Sequence, residues 1–273
     1  MKRFLSISFF LIVLQYSSSA KNFGDKNPLQ KSLTDTIVKS ADSEDEAIDE
    51  ILKSSGGLSA PVIDGYVFPE PLLTIYSKGN QNDVPVLMGW NADDVVISTK
   101  RLPAAEFVVQ LEKTYGANAN KIKLYYPVTD DAVAGKSQGA LNRDQTFAVQ
   151  EYAWANIQNK TGKAKVYMYN FYRKLPAYNT ETAFGAFHSS EIVYAYDNLK
   201  TVNRPWEAID QTLASQMSAY WVNFIKTGNP NGGGLVNWPV YDSKNNNILI
   251  LDQKIEAKSL PTKDQLTFLV TLY

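Results

Sequence analysis

The stretch NDVPVLMGWNADD, residues 82–94, decides the fold of this chain. A short apolar run, VPVLMG at residues 84–89, follows a polar segment and predicts a buried strand. The strand leads directly into two acidic residues, Asp93 and Asp94. On the residues alone, Asp94 is either a turn carboxylate at a strand end or a functional acid.

Helices and strands alternate along the rest of the chain at long spacing. Apolar periodicity and the glycines that follow predict helices at residues 104–115, 144–159 and 205–226, and a closing helix is predicted at 264–272. Two further strands are predicted at residues 165–172 and 248–251. This is an α/β pattern, but about three buried strands are fewer than such sheets usually contain. The sequence therefore predicts part of an α/β sheet.

The first 20 residues have the three parts of a secretory signal. Lys2 and Arg3 precede an apolar run at residues 4–14, and small residues close the segment at 17–20. The alternative interpretation of residues 1–20 is a buried N-terminal helix. The run is too short to span a membrane, and no later segment approaches that length. We therefore expect a signal peptide at residues 1–20, export to a periplasmic or extracellular location, and a polar, partly helical leader at residues 21–60.

Composition excludes several classes of function. The 273 residues contain no cysteine and one histidine, so disulfides and thiolate metal sites are ruled out, and a zinc site would need mostly carboxylates. We expect no metal and no cofactor. Removal of residues 1–20, which hold two basic and no acidic residues, leaves a net charge of −3. Such a chain offers no electrostatic reason to bind nucleic acid or an anionic membrane.

The single histidine, His188, lies in the run GAFHSSE at residues 185–191. No other side chain here titrates near neutral pH unless its surroundings shift its pKa. His188 is therefore the first candidate for general acid–base chemistry. A histidine without context is more often a core residue whose hydrogen bonds are satisfied, so the flanking residues must decide.

Four segments in register carry a family resemblance. In chain order they are PVIDGYV at 61–67, the opening stretch at 82–94, GAFHSSE at 185–191, and YWVNFIKTGNPNG at 220–232 with Trp238-Pro239 after it. Together they resemble the C-terminal half of the type-B carboxylesterases, an α/β-hydrolase family that cleaves carboxylic esters. The resemblance covers about residues 61–273, which we predict as one C-terminal portion of a carboxylesterase domain. It implies a partial α/β-hydrolase fold, the C-terminal half of the sheet with its helices, and a small-molecule ester as substrate.

The resemblance also assigns roles to individual residues. Asp94 matches the acid of the family's Gly-x-Asn-x-x-Glu segment, with aspartate in place of glutamate and Val95 where glycine is common. His188 matches the catalytic histidine of a Phe-His-x-x-Glu run. A carboxylate that accepts the Nδ1 proton would leave Nε2 free to take a proton from serine. Glu191, expected one helical turn further on, is predicted to be a structural salt-bridge partner.

No nucleophile is identified in this sequence, and we expect the chain to lack the Gly-x-Ser-x-Gly nucleophile and the oxyanion loop and so to be inactive alone. The family places its serine in a Gly-x-Ser-x-Gly elbow on a strained strand-to-helix turn, and a glycine-rich loop supplies the oxyanion hole. Residues 57–61, GLSAP, are the nearest approach to an elbow that we find, but proline replaces the final glycine and no strand precedes Ser59. Ser189 and Ser190 adjoin the histidine, yet neighbours on a helix point away from one another.

Three interpretations remain open from the sequence. The chain contributes the acid and the base of an exported ester hydrolase, and a second polypeptide supplies the N-terminal half that family members carry. In the second interpretation, the chain is a secreted, non-catalytic binding module. In the third, it is a non-functional fragment. Without the neighbouring half, we also expect the strand at 84–88 to lie at an unpaired sheet edge.

Overall fold

The computed structural model describes residues 63–94, 101–180 and 184–273. The predicted signal peptide at 1–20 and leader at 21–60 lie outside these ranges. Residues 76–271 form one compact unit. A second grouping contains residues 63–75 and 272–273, and within it the Asp64 carboxylate accepts the backbone N–H groups of Tyr66, Val67 and Phe68 at 2.8–3.1 Å in a turn.

A four-stranded mixed sheet organises the compact unit. The strands are β1 (Val86–Asn91), β2 (Val166–Phe171), β3 (Asn247–Leu251) and β4 (Glu256–Ser259), and they lie in that order across the sheet. The first three are parallel and β4 is antiparallel to β3. All six residues of β2 are buried, as expected for a central parallel strand covered on both faces.

Helices precede, connect and follow the strands along the chain. In chain order they are α1 (Leu72–Ser77), α2 (Ala104–Tyr115), α3 (Ala119–Tyr125), α4 (Asp131–Arg143), α5 (Val149–Thr161), α6 (Ile192–Ala195), α7 (Ala208–Thr227) and α8 (Lys263–Val270). Short 3₁₀ helices lie at Gly116–Asn118 and Leu199–Thr201, and a π-helical turn at Asp144–Ala148 joins α4 to α5. No helix of the described residues has the length and apolarity that crossing a bilayer requires.

The structure confirms most of the predicted elements and corrects others. The helix at 104–115 and the three predicted strands are found within two residues of their expected bounds. The predicted helix at 144–159 is the second part of a longer helical run, because α4 and the π-turn precede it. The long helix begins at Ala208 and not at Pro205, because Glu207 and Asp210 form a capping box there. Strand β4 was missed because its residues are polar and largely exposed.

The segment at 220–238 builds the core beneath the sheet. Trp238 is fully buried, and its indole Nε1 donates to the backbone carbonyl of Met168 in β2 at 3.0 Å. Asn231 fixes the backbone of Trp238 from both sides, accepting its N–H at 2.6 Å and donating to its carbonyl at 2.9 Å. Tyr220 packs edge-on against the indole ring, with the ring centroids 5.3 Å apart. This segment therefore holds α7 against β2.

Strand β1 lies at the edge of the described sheet, where it pairs with β2 alone. Gly89 in this strand faces Tyr169 across the ladder, and a Cβ at this position would overlap the Tyr169 carbonyl. Glycine is therefore the residue that allows the two strands to approach at the end nearest Asp94.

Candidate active site

The end of β1 turns sharply and buries the Asp94 carboxylate. Its Oδ2 accepts the backbone N–H of Asn91 at 3.0 Å, while the Asp94 N–H donates to the Asn91 carbonyl at 3.3 Å. The guanidinium of Arg143, at the end of α4, donates to the Ala92 carbonyl at 2.8 Å and so ties the turn to the helix. The Asp94 side chain is only 6% exposed.

Asp93, which precedes Asp94 in the same turn, joins this strand end to the segment that carries the histidine. Its N–H donates to the Ala186 carbonyl at 3.0 Å, and its Oδ2 accepts the Ala186 N–H at 2.9 Å. Gly185 has a φ of +72°, and a Cβ there would overlap the Asp93 carboxylate. The glycine therefore permits both the left-handed turn and the close approach of the two segments.

The two residues that the sequence singled out for acid–base chemistry are in direct contact. His188 Nδ1 and Asp94 Oδ1 are 2.8 Å apart, so the shorter aspartate arm reaches the imidazole. The hydrogen bond to Asp94 raises the pKa of His188 above its ordinary value of 6.5, and partial burial opposes the shift. The His188 side chain stays 40% exposed. In the neutral imidazole, an Nδ1–H donated to Asp94 leaves Nε2 as the acceptor.

Phe147 is a site residue that the sequence did not single out. It lies in the π-helical turn and stacks on the imidazole, with the ring centroids 4.9 Å apart and the planes 28° apart. The buried Asp144 carboxylate fixes this turn, because it accepts the Tyr126 hydroxyl at 2.7 Å and the Arg143 Nε–H at 2.6 Å. The sequence showed Phe147 only as an apolar position on a predicted helix. π-Helical turns of this kind are often found at functional sites.

Within the described part of the chain, the Glu191 carboxyl contacts an amide. Its Oε2 accepts a short hydrogen bond from Asn91 Nδ2, which also donates to the Phe187 carbonyl at 2.8 Å. Burial raises the pKa of Glu191. Among the residues that the structure describes, no ion pair of Glu191 is found, and the predicted salt bridge stays a prediction. The hydrogen bond to Asn91 links the histidine segment to β1.

His188 and Glu191 lie in a turn, not on the helix that the sequence predicted. Helix α6 begins only at Ile192, and Ser189 has a φ of +68°, a left-handed conformation that interrupts helical geometry. Ser190 is buried and its Oγ lies 3.4 Å from Asn91 Nδ2, whereas Ser189 is exposed. Among the described residues, neither serine hydroxyl makes a hydrogen bond to His188.

The expectation that the chain lacks a Gly-x-Ser-x-Gly segment is wrong for the letters of the sequence, because one such pentapeptide is present, and it is a closer match than residues 57–61. It is GKSQG at Gly135–Gly139. These residues lie inside α4, and the buried Ser137 hydroxyl donates to the Pro127 carbonyl at 2.7 Å. A nucleophile elbow requires a strained turn between a strand and a helix. Because the pentapeptide lies inside a helix, it is not a nucleophile elbow. Ser59, the serine of residues 57–61, lies outside the described residues.

Within residues 63–94, 101–180 and 184–273, no three His, Cys, Asp or Glu side chains are arranged to hold a metal ion. The fold, the buried acid at the end of a parallel strand and its hydrogen bond to a histidine together define the class of α/β-hydrolases. The chain belongs to the carboxylesterase family, whose model matches residues 29–269. This confirms the predicted resemblance and the partial α/β-hydrolase fold.

The chain is similar to curated esterases over most of its own length. It is 28% identical to the para-nitrobenzyl esterase of Bacillus subtilis, over 75% of this chain and 42% of the relative. It is 28% identical to the fumonisin B1 esterase of Sphingopyxis macrogoltabida, over 67% of this chain and 35% of the relative. It is 26% identical to carboxylesterase 4A of Bos taurus, over 77% of this chain and 41% of the relative. The chain thus spans about two fifths of the length of these relatives.

Proposed function

We propose that this chain carries the acid and the base of a Ser–Asp–His triad for carboxylic ester hydrolysis. The observation that supports this most is the 2.8 Å contact between His188 Nδ1 and Asp94 Oδ1 within the family's Phe-His-x-x-Glu segment. Asp94 would hold the imidazole in one tautomer and orientation. His188 would act as general base through Nε2.

The proposed chemistry follows from this arrangement. Nε2 takes the proton of a serine hydroxyl as the serine oxygen attacks the ester carbonyl, and Asp94 stabilises the imidazolium that forms. The imidazolium then gives its proton to the leaving alcohol, which produces an acyl-enzyme. In the second half, Nε2 removes a proton from water, the resulting hydroxide attacks the acyl group, and the serine regains its proton as the acid leaves.

The serine and the oxyanion hole are proposed to come from outside residues 63–273. Ser137 lies within a helix, and the buried Ser190 hydroxyl faces Asn91. The curated relatives are more than twice as long as the matched region, and in this family the nucleophile elbow belongs to the N-terminal half. The chain alone would then have little esterase activity and would need that half from a second polypeptide. Export through residues 1–20 remains part of this proposal.

Ester hydrolysis tests the proposal. The full chain and its His188→Ala variant are assayed on p-nitrophenyl acetate, alone and mixed with the part of the Bacillus subtilis esterase that lies outside the matched region. We expect turnover that depends on His188 only in the mixture, with a loss of about 10³-fold or more in the variant. Circular dichroism establishes that both proteins are folded.

Each other outcome has a distinct meaning. Equal turnover by the wild-type and His188→Ala mixtures would contradict the role of His188. His188-dependent turnover by the chain alone would show that it holds its own nucleophile. A folded chain that gives no turnover in any mixture would favour the alternative of a secreted, non-catalytic binding module.

A further inference from the structure

Asn91, the last residue of β1, contacts both halves of the acid–base pair. Its backbone holds the acid: the N–H donates to Asp94 Oδ2 at 3.0 Å, and the carbonyl accepts the Asp94 N–H at 3.3 Å. Its side chain reaches the other segment, where Nδ2 donates to the Phe187 carbonyl at 2.8 Å and to the Glu191 carboxyl. Phe187 and Glu191 lie on either side of His188 in the chain.

The orientation of the Asn91 amide is fixed by its partners. Nδ2 has two hydrogens, and the two strong acceptors are the Phe187 carbonyl and the Glu191 carboxyl. A reversed amide would turn its oxygen toward a carbonyl that cannot donate. Asn91 is 1% exposed, and its Oδ1 makes no hydrogen bond to any residue that the structure describes. The amide therefore serves as a buried donor toward the histidine segment.

The turn between these two attachment points has a backbone that needs support. Ser189, which follows His188, has a φ of +68°, a left-handed conformation that residues other than glycine seldom adopt. Such a conformation is unfavourable and persists only where surrounding contacts fix it. Within the turn, the Ser190 N–H donates to the Phe187 carbonyl at 3.0 Å. Asn91 then attaches both sides of the turn to the end of β1.

The neighbouring contacts do not replace this attachment. Asp93 binds the backbone of Ala186, which lies two residues before His188. Phe147 stacks on the imidazole, but a stacked ring can still slide in its own plane. Neither contact fixes the distance between the imidazole and the carboxylate that orients it.

We propose that Asn91 is a positioning residue for the acid–base pair: its backbone holds Asp94, and its side chain holds the turn of His188 within hydrogen-bond distance of that carboxylate. The side chain acts through the Phe187 carbonyl and the Glu191 carboxyl. This inference rests on the roles proposed for Asp94 and His188. Without the amide, the turn loses both attachments to β1, and the 2.8 Å contact between His188 Nδ1 and Asp94 Oδ1 loosens.

The tautomer of His188 reports this distance. The chain has one histidine, so nitrogen NMR of the full chain observes the two ring nitrogens of His188 alone. When the imidazole is neutral, a hydrogen bond to Asp94 keeps the proton on Nδ1. An imidazole that is released from Asp94 carries its proton on either nitrogen. A role of Asn91 in stability alone would leave the tautomer of the folded protein unchanged.

Asn91→Leu retains the approximate size of the side chain and removes its donor. We expect Nδ1–H to be the predominant form of neutral His188 in the wild type and a minor form in the folded variant. The pKa of His188 should fall as well, because the hydrogen bond to Asp94 is the main cause of its raised value and the charges of Asp94 and Glu191 add to it.

Gln158→Met is the matched control. Gln158 is also a buried amide, 1% exposed, and it donates to the Asp83 carboxylate at 3.2 Å. Asp83 precedes the first residue of β1, so this hydrogen bond lies at the opposite end of the strand from Asn91. We expect the control to lower the free energy of unfolding and to keep the Nδ1–H form of His188.

The possible results are distinguishable. A wild-type level of Nδ1–H in folded Asn91→Leu would overturn the inference. An equal loss of Nδ1–H in Gln158→Met would also overturn it, because a general loosening of the fold would then be the cause. A wild type in which Nδ1–H is the minor form would contradict the pairing of Asp94 with His188 itself, and the inference with it.

Two variants at the other end of the hydrogen bond remain decisive if Asn91→Leu does not fold. Glu191→Gln and Glu191→Met both remove the charge, but only Glu191→Gln retains an oxygen that accepts from Asn91 Nδ2. We expect more of the Nδ1–H form in Glu191→Gln than in Glu191→Met, and equal amounts would overturn the inference. None of these measurements needs turnover, so a failure of the proposed esterase role is distinguishable from a failure of the role of Asn91.

Discussion

At the scale of single residues, the arrangement depends on a few close contacts whose loss has calculable consequences. His188 has a raised pKa in the folded chain because Asp94 accepts its Nδ1 proton. A group of this kind stabilises the fold fully at pH values below its unfolded pKa of about 6.5. The contribution is lost as the pH rises through the folded pKa.

The stability of His188→Gln should therefore depend on pH in a way that differs from the wild type. We expect the wild type to have its largest advantage in free energy of unfolding at pH 6, and the advantage to shrink steadily up to pH 9. Urea unfolding of both proteins at a series of pH values measures the difference. An advantage that stays constant over this range would mean that the imidazolium gains nothing from Asp94.

Gly135 distinguishes a helical pentapeptide from a nucleophile elbow. In α4, a Cβ on Gly135 would meet only the Arg101 side chain, at an ordinary 4.0 Å. Gly135→Ala should therefore raise the free energy of unfolding by about 0.5–1 kcal/mol, the gain of alanine over glycine in a helix. Gly89→Ala, where the Cβ would overlap backbone, should lower it by about 1–3 kcal/mol. A destabilising Gly135→Ala would contradict the helical assignment.

The residues of the site were predictable to different degrees. Asp94 and His188 stood out because each lies in a family motif, and their contact required the fold. Phe147 could not be singled out, because a ring on a helix carries no signal of what it faces. The pentapeptide at Gly135–Gly139 shows the converse, since its letters match a motif that its helical backbone excludes.

At the scale of elements, a buried ion pair attaches α7 to the end of β2. The Arg173 guanidinium donates to Asp210 Oδ1 at 2.7 Å and Oδ2 at 3.1 Å, and to the Glu207 carboxylate at 2.6 Å. Asp210 is fully buried and also accepts the Tyr194 hydroxyl at 2.8 Å. The network joins the start of α7 to α6, which directly follows the His188 turn.

Removing one charge from this network should be costly. Asp210→Asn leaves the buried Arg173 without its main partner, and we expect a loss of about 3–5 kcal/mol in the free energy of unfolding. Glu112→Gln is the control, because Glu112 pairs with Lys123 on the surface at 3.3 Å and should change stability by less than about 1 kcal/mol. Similar losses in the two variants would contradict the importance given to burial.

Element boundaries followed the local chemistry that the sequence displays. Helix α2 was predicted with its exact ends because Gly116 stops a clear apolar pattern. The start of α7 was missed because a reciprocal cap between Glu207 and Asp210 outweighs the signal of Pro205. Helix α4 was missed because its glycines and small residues give a weak helical pattern.

At the scale of the whole molecule, the described sheet ends at β1, as the sequence predicted. An edge of this kind presents unpaired backbone groups that can pair with another chain. Val84 precedes β1 and is exposed, as is Val109 on α2. We expect the chain to self-associate as its concentration rises, and Val84→Lys to weaken that association by placing a charge next to the edge.

Sedimentation velocity over a range of concentrations measures this association. Val109→Lys is the control, since it adds the same charge at an exposed valine on a helix. If both variants reduced association equally, net charge rather than the β1 edge would be responsible.

The central claim is that Asp94 and His188 form an acid–base pair, and the single histidine allows one direct measurement. The His188 imidazole is titrated by NMR in the wild type and in Asp94→Asn, which keeps the side-chain size but removes the charge. The pairing predicts a His188 pKa above its ordinary value in the wild type and a lower one in the variant. The same pKa in both proteins would contradict it.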